Sequence, residues 1–268
     1  MRAMSSPLNL QIAGLLTLLP LAVLAVTAKL QRNFQFWLFL AAAIAGCGGV
    51  FVQSMAHGWE AGLSANLWAS CAVSLIAFAA LCAVNAEAFR LAALLLPYLV
   101  LFALLALLFA SFGEPSPSVA SAAWFRAHVV LAVASYGVLT LGAIAGLAVL
   151  IQERALKRRQ SGWTERALPP LLEAESLQIK LLLWAAIFMA AALASGFANT
   201  FMDTGSWPEL SHKVLLSILA FVVLVALLVT HRMTGIRGRR AARWFLAGYL
   251  LLTLGYPGVK FVKDVLLG

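Results

Sequence analysis

The sequence predicts an all-α integral membrane protein, a bundle of eight transmembrane helices with both termini on the extracytoplasmic side. Three observations carry that expectation. Of the 268 residues, 63% are hydrophobic and only 11% charged, with a mean hydropathy of +0.96. A water-soluble domain has no interior large enough to hide so much apolar surface. The apolar residues also gather in continuous runs at about 8–28, 34–56, 62–83, 91–112, 127–151, 179–202, 214–230 and 243–262. Each is near the ~20 residues with which a helix crosses a bilayer core of about 30 Å. Finally, the 19 lysines and arginines divide unevenly between alternate ends of those runs. Helices follow rather than a barrel, because barrel strands would alternate over about ten residues.

The first run ends at Val26-Thr27-Ala28, small residues of the kind a signal peptidase cuts. Its apolar stretch is longer than a signal core, however, and Lys29 and Arg32 put the positive charge after it, so an uncleaved first span is expected. The second and third runs hold the three cysteines, Cys47, Cys71 and Cys82. None stands in a Cys-x-x-Cys or Cys-x-x-Cys-His pattern, which argues against thiol exchange and against covalent haem attachment. Arg90 precedes the fourth run, and the fifth opens on Arg126 and His128. Gly48 and Gly49 in the second run and Gly142 and Gly146 in the fifth are expected to allow close helix packing, and Gly142-x-x-x-Gly146 has the small-residue spacing for it. The hydrophilic segment of about 152–178 is read as the one sizeable cytoplasmic loop, with Leu168-Pro169-Pro170-Leu171 as a turn into an amphipathic start of the sixth span. Ser211-His212-Lys213 opens the seventh run and His231 closes it, and the turn Gly235 to Arg240 leads into the eighth. No separate soluble domain is indicated, so residues 1–268 are expected to form a single transmembrane domain.

Orientation comes from the loop cations. Fourteen lysines and arginines, most of them in the stretches 154–166 and 232–243, lie at one set of ends and five at the other. The positive-inside rule puts the richer set in the cytoplasm. The net charge of +9 is then the sum of those loop cations. A nucleic-acid partner is not expected, since no basic, aromatic-interleaved soluble segment exists. Walker, Gly-x-Gly-x-x-Gly and His-Glu-x-x-His patterns are missing, so neither nucleotide nor zinc-protease chemistry is indicated.

This topology sorts the four histidines. His57, His128 and His212 fall at the outer face and His231 at the inner. Neutral imidazoles meeting at one depth are what a metal or haem iron requires, and the ring is largely neutral at physiological pH, so acid should weaken such a site. His128 and His212 are therefore read as ligands of an iron. Arg126 stands two residues before His128 and Lys213 directly after His212, each a cation suited to a haem propionate. Trp59, Trp124, Phe125, Phe197, Phe201 and Trp207 supply flat apolar surface at the same level, although an interfacial aromatic belt explains any one of them. Asp203 lies in the same outer region, where a carboxylate can orient an imidazole.

His231 with Gly235-Ile-Arg-Gly-Arg-Arg-Ala241, Ala247-Gly248 and Leu254-Gly-Tyr-Pro-Gly-Val-Lys260 resembles the end of the CcsA-type cytochrome c biogenesis proteins. Ala127-His128 with Ser135-Tyr136, the Leu168-Pro-Pro-Leu171 turn, and Ser195-Gly196 followed by His212-Lys213 extend the resemblance over the whole chain, closest to the eight-span YpjD- and HemX-like branch. The resemblance implies a haem-handling inner-membrane protein. It implies that His128 is an outer-face haem ligand, that Tyr136 belongs to the same site, and that His231 stands where haem is received at the inner face. Two family features are missing. The tryptophan-rich haem-presenting motif is replaced by Phe197-Ala-Asn-Thr-Phe-Met-Asp-Thr-Gly-Ser-Trp207, and a C-terminal His-Ser-Tyr is not found in Val265-Leu-Leu-Gly268. The choice of His212 as partner to His128 rests on level and spacing alone.

The expected function is accessory work in cytochrome c biogenesis with non-covalent haem b, in a bacterial inner membrane. The partners would be the lipid bilayer, haem, and cytochrome c biogenesis or haem-synthesis proteins. Two alternatives stay open: a regulator of tetrapyrrole synthesis, acting through haem occupancy or the loop 152–178, and a structural or transporter-associated subunit without haem. No catalysed step is expected, since no nucleophile, base and oxyanion donor meet at one level.

Overall fold

The computed structural model describes residues 5–55, 63–110, 123–159, 162–205 and 211–254. Those residues are helical apart from short connections, with no strand among them. The helices are α1 (Ser5–Val26), α2 (Phe34–Met55), α3 (Leu63–Val84), a 3₁₀ turn (Ala86–Leu91) leading into α4 (Ala92–Leu108), α5 (Ala123–Lys157), the short α6 (Trp163–Ala167), α7 (Leu171–Thr204), α8 (His212–Thr234) and α9 (Gly238–Thr253). Seven segments among the described residues are long and apolar enough to cross a membrane, from Leu8–Val26 to Val214–Thr234. Of the expected eighth run, α9 accounts for residues up to Thr253, and 255–262 lie outside the described residues.

The helix ends follow local chemistry. Asn33 opens α2 by accepting from the Phe36 N–H at 3.1 Å, and Ser211 caps α8 by accepting from Val214; both satisfy donors that a helix start leaves without intrahelical partners. Gly235 ends α8 in the left-handed region (φ 65°), donating to the His231 carbonyl at 2.9 Å. A residue with a Cβ would be strained there.

The helices group into two compact units. In the first, α1 packs on α2 and α4, and α3 packs on α2 and α4, with the loop helix α6 alongside. Its core is built from Phe36, Leu40, Trp68, Leu75, Phe78 and Leu95, all essentially inaccessible. The Trp163 indole N–H donates to the Val26 carbonyl at 2.6 Å, tying the 158–170 connection to the end of α1.

The second unit is a four-helix bundle. α5 packs along α7 and α9, and α8 packs on the same two helices, so α5 and α8 face each other across the diagonal. Leu139, Leu182, Met189, Leu224, Ala241 and Phe245 fill its middle. Of the four glycines expected to allow close packing, Gly48 and Gly49 do not, since nothing lies within 4 Å of a Cβ added at either, whereas Gly142 and Gly146 do what their spacing predicts. A Cβ at 142 would collide with the Phe245 ring, and one at 146 would touch Gln178 and the Ala242 backbone.

One expectation about this unit is corrected. The segment 152–178 is not a loop: α5 continues to Lys157 and α7 begins at Leu171, leaving only 158–170 between them, with α6 inside it. The polar residues that read as solvated turn inward instead. Gln152 and Gln178 are buried, and the Glu153 and Glu175 carboxylates both reach the bare Cα of Gly238. Glu153 accepts from the Arg239 N–H at 3.0 Å and pairs with its guanidinium at 3.4 Å, capping α9 from a neighbouring helix. Gly238 has φ +62°, so both its backbone and its lack of a side chain are needed. Glu153→Ala should therefore lower stability by about 1 kcal/mol, the cost of a lost helix cap. Thermal unfolding in detergent checks this, and an unchanged midpoint would show that the clasp contributes nothing.

Candidate functional site

His128 sits near the start of α5, half-buried against α7. Its Nδ1 lies 2.9 Å from the Ala192 carbonyl and 3.3 Å from Ser195 Oγ. A carbonyl only accepts, so the proton is on Nδ1, and in the neutral ring Nε2 keeps its lone pair. Among the described residues no hydrogen bond is made to Nε2. Ser195 Oγ donates to the same Ala192 carbonyl at 2.9 Å, so the hydroxyl proton is already committed and its oxygen faces the imidazole as an acceptor. The ring rests on Gly196, where an added Cβ would lie 2.9 Å from Cε1 and 3.1 Å from Nδ1. Ser195-Gly196 is thus a seat: one residue orients the imidazole and the next makes room for it. Holding one ring nitrogen by an oxygen acceptor while the other stays open is how proteins prepare a histidine to bind a metal.

Across the bundle diagonal, α8 begins at His212. Gly146 of α5 faces Ala242 of α9, and Gly248 of α9 faces Leu224 of α8. In this antiparallel packing Gly146 is level with about Thr230. Following α5 and α8 back about five turns from that level reaches positions 128 and 212 at one depth. This describes the backbone; the side chains of Arg126, His212 and Lys213 lie outside the described residues. So do those of Trp124, Phe125 and Asp203, and all of His57, Trp59 and Trp207. Phe197 is half-buried and Phe201 about half exposed, 52%.

Tyr136 lies about two turns along α5 from His128 and is buried. Its ring packs at 5.8 Å on that of Tyr249, the two hydroxyls are 3.4 Å apart, and Thr140 Oγ1 is 3.1 Å from the Tyr249 hydroxyl. Thr140 donates to the Tyr136 carbonyl at 2.9 Å. Tyr249 escapes the sequence reading, although a hydroxyl inside an apolar run must find a partner in a membrane bundle, and that is the signal that points to it.

His231 serves the hairpin turn. Its Nδ1–H donates to the Ile236 carbonyl at 2.8 Å while its own carbonyl accepts from Gly235. The structure keeps it apart from His128, at the opposite end of the bundle, beside the Glu153–Arg239 clasp. Among the described residues no group of three or more His, Cys, Asp or Glu side chains is gathered to hold a metal ion.

A multi-pass helical membrane protein with an imidazole seated by one nitrogen in a four-helix unit is the class that fold and site define. The chain belongs to the cytochrome C assembly protein family, whose sequence model matches residues 38–267. It is 40% identical to the 28.8 kDa protein of the nifR3-like 5' region of Azospirillum brasilense, over 99% of this chain and 100% of that one. It is also 29% identical to the inner membrane protein YpjD of Escherichia coli K12, over 65% of each chain. No solved structure matches.

Proposed function

We propose that this chain is a haem-binding inner-membrane protein that serves cytochrome c assembly, holding haem b between α5 and α8. The observation that carries the reading is the His128 seat, where Nδ1 is held by Ala192 and Ser195 and Nε2 is left to bind iron. His212, whose backbone begins α8 at the same depth across the diagonal, would be the second residue to hold it, a placement suited to bundle cofactors, which lie between facing helices. Haem so bound supplies an iron centre for carriage or electron exchange. Arg126 and Lys213 adjoin the two ligands in sequence and would supply the cations that its propionates need. The buried Tyr136, with the part-buried Tyr249 packed on it, would form the floor on the side of the bundle core. His231 and the Arg237–Arg240 turn close the hairpin at the other face.

Membership of the cytochrome C assembly family supports the assembly role, and the relative named as an inner membrane protein supports the compartment. In this reading the chain is one domain of eight spans, with both termini outside and the cation-rich ends in the cytoplasm. The protein holds and presents haem and makes no bonds itself.

The test is the absorption spectrum of detergent-purified protein. A Soret band is expected in the wild type and its loss in His128→Ala, with a shifted or weakened band in His212→Ala. A wild type without the band, or a band unchanged in the double variant, would remove the haem assignment.

A further inference from the structure

The arginine-rich turn is only partly used by the fold. From His231 to Leu254 the chain carries five arginines, no lysine and no carboxylate. Arg239 turns inward to Glu153. Arg232, Arg237, Arg240 and Arg243 are exposed, and none has an acidic partner among the described residues. Arg240 and Arg243 stand three residues apart on one face of α9, and Arg237, the extended residue that precedes the helix, lies at its tip. The opposite face of the helix, Gly238, Ala241, Ala242, Phe245 and Gly248, is buried in the bundle.

Beyond its second turn the stripe changes character. Trp244 is 57% exposed, and Ala247, Leu250 and Leu254 continue the same face with no polar group. From Arg240 to Leu254 the helix rises about 21 Å, roughly half the ~40–45 Å thickness of a whole bilayer. Cations at one end, an indole next and aliphatic side chains to the midplane match the order of a phospholipid: phosphate, ester region, acyl chain. The cations are all guanidiniums, whose planar fork suits two phosphate oxygens at once, whereas orientation in the membrane requires only charge.

We propose that the exposed stripe of α9 is a binding site for an acidic phospholipid. Arg240 and Arg243 take its phosphate diester, Arg237 adds charge at the tip, and Trp244, Leu250 and Leu254 lie along one chain of the lipid. A soluble acidic protein fits less well, because the apolar half of the stripe, Trp244, Leu250 and Leu254, offers an acidic surface no partner. The site is independent of the haem assignment.

The test uses the full chain reconstituted in phosphatidylcholine vesicles, with trace spin-labelled phosphatidylglycerol or spin-labelled phosphatidylcholine reporting lipid held at the protein surface. At low ionic strength the wild type should prefer phosphatidylglycerol. The pair Arg240→Gln, Arg243→Gln should cut that preference by at least about fivefold, the contribution of roughly one arginine at a charged interface. The pair Arg154→Gln, Arg158→Gln removes equal charge from the exposed end of α5, at the same face of the unit, and should change the preference by less than about twofold. Equal losses in the two pairs would reduce the effect to general surface potential and overturn the site. A preference retained in the α9 pair, or none in the wild type, would overturn it as well.

Discussion

Gly196→Val should strip the protein of haem as thoroughly as His128→Ala, with every proposed ligand still in the chain. The imidazole of His128 lies on the bare Cα of Gly196, within 2.9–3.1 Å of where a Cβ would stand. The nearest ring atoms, Cε1 and Nδ1, belong to a group bonded to Ala192 and Ser195, so the ring cannot retreat without giving up those bonds. Losing a hydrogen bond with its donor left buried costs about 1–3 kcal/mol, and overpacking adds a similar amount. Purified Gly196→Val is expected to be folded, with a thermal midpoint several degrees lower and no Soret band. Ser195→Ala is milder. It removes only the second acceptor, so the band should persist with haem held about tenfold more weakly, the usual consequence of losing a ligand's supporting partner. Full haem retention in Gly196→Val would show that the His128 seat is not the site, even if haem is bound elsewhere.

The second large effect is expected at Gly142→Ala. A methyl group there would occupy the space of the Phe245 ring, which is fully buried among Leu139, Leu182 and Leu224 and has nowhere to turn. Alanine favours a helix over glycine by about 1 kcal/mol, but overpacking a closed core costs about 1–3 kcal/mol and the clash here is severe, so the net sign is destabilising. Gly48 provides the contrast, since nothing lies within 4 Å of its added Cβ. Gly48→Ala should raise stability by up to about 1 kcal/mol. Phe245→Leu should recover part of the loss in Gly142→Ala. Thermal unfolding of the four proteins in one detergent decides the matter: equal midpoints for the two glycine variants would mean that α5 and α9 are not packed as described.

Hydropathy and small-residue spacing carried most of the fold. Seven of the expected spans are helices of spanning length, because an apolar run in a bilayer has no other way to satisfy its backbone. The Gly142–Gly146 contact was legible for the same reason. The 152–178 segment was misread because polarity was equated with water. Gln152, Gln178, Glu153 and Glu175 are polar, yet the two glutamines are buried and the two carboxylates reach the start of α9. That error comes from reading each helix alone, since the partner face is supplied from elsewhere in the chain. The seat of His128 was hidden in the same way. His128 and Ser195-Gly196 were each visible as residues of note, but their contact depends on the register between α5 and α7, which no local spacing encodes. Tyr249 completes the pattern, a lone hydroxyl whose partners, Tyr136 and Thr140, lie more than a hundred residues earlier.

The complete burial of Cys47, Cys71 and Cys82 has a practical consequence. A membrane-impermeant maleimide finds no native thiol to modify, so the wild-type chain already serves as the blank for a reporter cysteine placed anywhere else. Introduced singly at positions 128 and 212 in sealed, oriented vesicles, such reporters should be blocked from the same compartment, and one at position 240 from the opposite one.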